Sequence, residues 1–151
     1  MTAPDRNDPF VRMVLFDIED VHRFFIGWFG GRVPKTETEF ARFRNSLDPR
    51  FGQVNPRGLY RPHATIIGDV WNHWNWFPDD PAYRIWIEKP RVRHIIDGHT
   101  ALAVYEEWHI YKGETVGRTC TALVTRRACG PHGIVWLEMH ESLLSPGSLP
   151  S

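Results

Sequence analysis

Cysteine is scarce in this chain. Two residues, Cys120 and Cys129, exclude a disulfide framework and a cysteine-rich zinc site. Free thiols in a reducing compartment are the expectation, and with it a cytoplasmic location. Charge of one sign is missing as well. Lys plus Arg and Asp plus Glu number 18 each, with no basic run, so the electrostatic footprint of nucleic-acid binding is absent. No apolar run approaches the ~20 residues of a membrane span. The opening MTAPDRNDPF lacks the apolar centre of a signal peptide. No P-loop, dinucleotide fingerprint or Gly-x-Ser-x-Gly motif occurs. Nucleic acid, membrane and the common motif-bearing enzymes are therefore not expected partners or classes.

Aromatic residues are plentiful, with 7 Trp, 9 Phe and 4 Tyr in 151 residues, a length suited to one domain. One domain over 8–145 is expected, with flexible tails at 1–7 and 146–151. Asp8 as cap and Pro9 at the first helical position open a helix. Phe10, Val14, Ile18, Val21, Phe25 and Phe29 recur along it at three- and four-residue steps. Thr36 and Glu39 form a capping-box pattern for a second helix, carrying Phe40, Phe43 and Leu47 inward and stopped by Asp48-Pro49. Two short strands flank the Asn55-Pro56-Arg57-Gly58 turn, and a third helix runs from Pro62 to about Trp76. From Tyr83 the period changes to two. Strands are expected at 83–96, 100–111, 115–127 and 134–144, the first pair joined by an Asp97-Gly98 hairpin turn. The fold class is α+β, N-terminal helices on a curved, mostly antiparallel sheet.

A three-residue turn at Lys112-Gly113-Glu114 would set Trp108 opposite Arg118. Leu102, Val104, Glu106, Trp108 and Ile110 then share the covered face with Val116, Arg118, Cys120, Ala122 and Val124. In the last strand Val135, Leu137, Met139 and Glu141 join them, whereas His109 and His140 fall outside. A one-residue slip would invert such a face. Glu106, Arg118 and Glu141 are charges among apolar neighbours, so they must pair or line a cavity. The candidate ligand pocket is Glu106, Trp108, Arg118 and Glu141, with Arg118 meeting an anionic group. No catalytic residue is assigned. The histidines lack ligand spacing, and neither a metal nor a cofactor is expected.

The segments Arg118-Thr119-Cys120-Thr121-Ala122-Leu123, Arg126-Arg127 and Trp136 to Ser142 resemble the closing hairpin of nuclear transport factor 2-like domains. The similarity spans residues 9–145 and points to the SnoaL-like branch near the association domain of calcium/calmodulin-dependent kinase. It implies a cone-shaped half-barrel, a pocket between helices and concave sheet, and a homodimer through the outer sheet face. Ketosteroid isomerases, polyketide cyclases and dehydratases belong to the family, as do modules that only bind or assemble. The chain departs from the isomerase pattern: its first helix has no tyrosine, and its long strands contain no aspartate. The expected function is a small-molecule-binding pocket without assigned catalysis. The alternatives are an acid–base enzyme of those classes and a non-enzymatic dimerisation module. An open cavity of ~300 Å³ or more would favour the first.

Overall fold

The N-terminal Asp–Pro pair does what its chemistry requires. In the computed structural model, which describes residues 3–151, Asp8 Oδ1 accepts from the amides of Phe10 (2.8 Å) and Val11 (3.2 Å), and helix α1 spans Pro9–Phe29. Its apolar stripe is buried at Phe10, Val14, Ile18 and Val21. Of the tail expected at 1–7, residues 1 and 2 lie outside the described residues. Helix α2, Glu37–Arg44, starts on Thr36, whose Oγ1 accepts from Glu39 N at 3.2 Å. It ends before Asp48-Pro49, because Leu47 already opens strand β1, Leu47–Val54. Strand β2, Tyr60–Pro62, returns beside it.

Helix α3, His63–Asn72, is shorter than the sequence pattern predicts. Asn75 adopts a left-handed φ of 52°, and the Asn75 and Trp76 amides donate to Trp28 O and Phe29 O. The chain there serves the end of α1 and cannot continue a helix. Strands β3 (Arg84–Ile96), β4 (Thr100–Tyr111), β5 (Glu114–Arg126) and β6 (Ile134–Leu143) form the meander. The sheet order is β2-β1-β6-β5-β4-β3. All pairs are antiparallel except β1 with β6. The sheet is an open half-barrel, with the three helices against its concave side. Phe24, Trp28, Phe40, Phe43 and Trp71 pack between them, each buried aromatic contributing about 1.5–3 kcal/mol.

The β4–β5 register differs from the expected one by a residue. Lys112 (φ 50°) and Gly113 (φ 78°) make a two-residue loop of the kind that matches strand twist, and Tyr111 pairs with Glu114. Arg118 therefore lies opposite Glu107, Cys120 opposite Tyr105 and Ala122 opposite Ala103. The concave face of β4 is Ala101, Ala103, Tyr105, Glu107 and His109, the set expected outside. Glu106 and Trp108 face the convex side. In β6 an irregularity beside Leu137 sets Trp136 opposite Val124 and Met139 opposite Ala122. Trp136 and Ile134 thus point inward in place of Leu137 and Val135, while Met139 and Glu141 stand as expected.

Candidate functional site

A cavity of about 230 Å³ lies between α1, α3 and the concave sheet. This is smaller than the ~300 Å³ expected of a small-molecule pocket. Phe25, Phe29, Ile85, Trp76 and Met139 supply much of its apolar wall, and Phe25 lines the space without filling it. One polar wall is built from five elements. Helix α1 brings His22, β1 Gln53, β4 Glu107, and the β5–β6 pair Arg118 and Glu141.

His22 is 3 % exposed. Its Nδ1 donates to Ile18 O at 2.7 Å, one helical turn back. Because that nitrogen is committed as a donor, the 2.9 Å contact from Nε2 to Glu107 Oε2 must hold a proton of its own. Burial pushes the Glu107 carboxyl upward, but the hydrogen bond from His22, the His22 charge and Arg118 outweigh it, leaving the group below its ordinary value. One proton therefore lies between His22 Nε2 and Glu107 Oε2, and the pair as a whole carries no net charge.

Arg118 Nη1 donates to Glu141 Oε2 at 2.5 Å, and Gln53 Nε2 to Glu141 Oε1 at 2.9 Å. Burial and the Glu107 charge raise the Glu141 carboxyl against the pull of Arg118. For Arg118, the two carboxylates overcome burial and hold the guanidinium firmly protonated. At the rim, Arg61 donates to Gln53 Oε1 at 3.2 Å and pairs with Asp69. Burial lowers His73, which stacks on Trp76 with centroids 3.5 Å apart.

Of the four residues expected in a pocket, Arg118 and Glu141 meet at this wall. Glu106 instead pairs with Lys89 Nζ at 2.7 Å on the convex face, and Trp108 is buried there over Gly117. The register places Glu107 and Tyr105 where they were expected. His22 and Gln53 were not singled out either, although His22 continues the Ile18–Phe25 stripe and Gln53 alternates with Phe51.

Glu107, Cys120 and Glu141 offer ligand atoms within 4.8 Å of one another. Burial and the two carboxylates push the Cys120 thiol far up. Arg118 already supplies the positive charge a cation would bring.

A second buried network holds the helices to the sheet. Asp17, 1 % exposed, accepts from Arg42 Nη2 at 2.9 Å and from Trp136 Nε1 at 2.7 Å. Asp20 accepts from Arg42 Nε at 2.6 Å and lies 2.8 Å from His132 Nε2.

Helices over an open concave sheet are the nuclear transport factor 2-like fold. The chain belongs to the family of sucrose-6-phosphate phosphohydrolase C-terminal domains, whose model matches residues 19–145. No curated protein matches. Among solved structures, a nuclear transport factor 2-like protein of unknown function from Pseudomonas aeruginosa is similar, with a TM-score of 0.75 and 16 % identity over 88 % of this chain and 99 % of that one. The calcium/calmodulin-dependent kinase II hub of S. rosetta gives 0.67 at 14 % identity, covering 88 % and 95 %. ActVI-ORFA from Streptomyces coelicolor gives 0.58 at 14 %, covering 87 % and 95 %. These likenesses establish the fold alone. No described helix is long and apolar enough to cross a membrane.

Proposed function

We propose that this domain binds a small molecule in the cavity between helices and concave sheet, without an assigned catalytic step. The observation that carries the reading is the polar wall. Four ionisable side chains, His22, Glu107, Arg118 and Glu141, lie together on one side of a largely apolar space whose rim carries Arg61 and Asp69. Burying four charges is unfavourable unless each is paired, and a packed apolar wall would be at least as stable. A ligand that uses some of these groups accounts for their placement beside a cavity. The family's description names part of a phosphohydrolase, but hydrolysis is not assigned to this cavity. A phosphate would meet Glu107 and Glu141, while Arg61 and Arg118 are already engaged by carboxylates. Acid–base chemistry is the second reading, favoured by the proton held between His22 and Glu107. Self-association through the convex face and cytoplasmic residence complete the proposal. The likeness to a kinase hub supports the former, and the free thiols support the latter.

Native mass spectrometry of protein purified gently from its host tests the binding reading. A small-molecule adduct that leaves on denaturation supports it. The bare chain mass in every preparation, with no fragment raising the melting temperature, contradicts it.

A further inference from the structure

The binding reading leaves the ligand's chemistry open, and the charge balance of the wall narrows it. His22 and Glu107, with one proton between them, carry no net charge, and Arg118 pairs with Glu141. At the rim Arg61 and Asp69 cancel one another. Burial keeps His73 below its ordinary value, so it adds no charge at neutral pH. Cys120 and Tyr105 are also held neutral by burial. A carboxylate or phosphate entering this space would confront Glu107 and Glu141 with no free cation to receive it. An ammonium would face Arg118 in the same way. Desolvating an unpaired charge is strongly unfavourable, so charged ligands are discriminated against.

Hydrogen-bonding capacity remains even though net charge does not. Glu141 is occupied at both oxygens, by Gln53 and Arg118. Glu107 uses Oε2 for His22, and its Oε1 accepts no hydrogen bond among the described residues. Arg118 commits Nη1 to Glu141, and its buried Nε has no hydrogen-bond partner among the described residues. Arg118 Nε and Glu107 Oε1 stand 3.8 Å apart, too far for a hydrogen bond and the separation at which a bridging oxygen is to be sought. A hydroxyl is the group that can accept from a guanidinium and donate to a carboxylate at once. Phe25, Phe29 and Trp76 line the same cavity and supply apolar surface for a ring.

Resting on the binding reading above, we propose that the ligand is an uncharged, ring-sized molecule bearing hydroxyl groups, one of which is held between Arg118 and Glu107. These two residues bind and orient it, and the carboxylate pair rejects anions.

Three probes share one ring and differ in charge: trans-1,2-cyclohexanediol, cyclohexanecarboxylate and cyclohexylammonium. Each is titrated into ¹⁵N-labelled full-length protein, following the backbone amides that line the cavity and the Arg118 Nε–Hε resonance. The diol is expected to move both sets and to bind roughly tenfold or more tightly than either ion. Arg118→Lys keeps the charge and loses the fork, and is expected to weaken the diol roughly tenfold. Glu107→Gln is the second variant, each being checked for a native amide spectrum. A carboxylate or ammonium that matches or exceeds the diol at the cavity overturns the ligand class and leaves the binding reading standing. Diol affinity unchanged in both variants overturns the assigned residues. Failure of all three probes to move any cavity resonance contradicts the binding reading itself, and this inference with it.

Discussion

Glu106 and Glu107 are neighbours in β4 and serve opposite faces of the sheet. Glu107 meets buried His22 at 2.9 Å on the concave side, whereas Glu106 meets Lys89 at 2.7 Å on the convex side, where the lysine is largely exposed. Removing one partner of a buried pair strands the other, at about 3–5 kcal/mol, but a half-exposed pair is worth about 0–1 kcal/mol. Glu107→Ala is therefore expected to shift the urea midpoint strongly and Glu106→Ala weakly. Equal shifts would place the two glutamates in equivalent environments and contradict the register.

The β4–β5 loop allows a second check on that register. Gly113→Val forces a β-branched residue into left-handed backbone and is expected to cost about 1–2 kcal/mol. Lys112→Asn, which places a residue tolerant of positive φ at 50°, is expected to stabilise slightly. Urea unfolding curves of both variants decide the matter. A loss in Lys112→Asn would speak against the two-residue loop.

This loop also marks the limit of what was legible in advance. Asp8-Pro9, Thr36 with Glu39, and Asp97-Gly98 carry their local geometry in their own chemistry, and α1, α2 and the β3–β4 hairpin follow from them. Lys112-Gly113-Glu114 suits a two- or a three-residue connection, and alternation on both sides does not arbitrate between them. Ala101 and Ala103 are too small to advertise a covered face, and Leu102, Val104 and Trp108 drew the assignment to the convex side. Trp108 is 1 % exposed there, so apolar character alone could not name the concave face. The irregularity at Leu137 depends on how β6 meets β1 as well as β5, a long-range fact no local pattern contains. Arg118 and Glu141 are legible because the alternation of β5, and that of β6 beyond Leu137, puts both on the concave face. His22 carries no local signal of its role, because its partner Glu107 lies 85 residues away.

Trp108 gives a sharp steric test. A Cβ at Gly117 would stand 2.6 Å from its ring. Gly117→Ala is expected to destabilise by about 1–3 kcal/mol through overpacking, with a change in tryptophan fluorescence. A neutral effect would show that the ring does not lie over this strand.

Acid should loosen the fold through its aspartates. The hydrogen bond from Arg127 lowers Asp48, helped by the Arg50 amide. Burial raises Asp20, but His132 and Arg42 lower it further. A carboxyl depressed in the folded state stabilises above its unfolded value, 3.8, and loses that contribution as pH falls through the folded one. Asp48→Asn is expected to be less stable than the parent at neutral pH, with the gap closing as pH drops below 3.8. A gap that widens in acid would contradict the assignment.

The central claim is that the wall formed by His22, Glu107, Arg118 and Glu141 faces a ligand. A small-fragment screen read by amide chemical shifts tests it most directly. The account predicts that binders move the amides of His22, Glu107, Arg118 and Glu141 together with Phe25, leaving Lys89 and Glu106 still. Binders that cluster on the convex face and spare the cavity would contradict it.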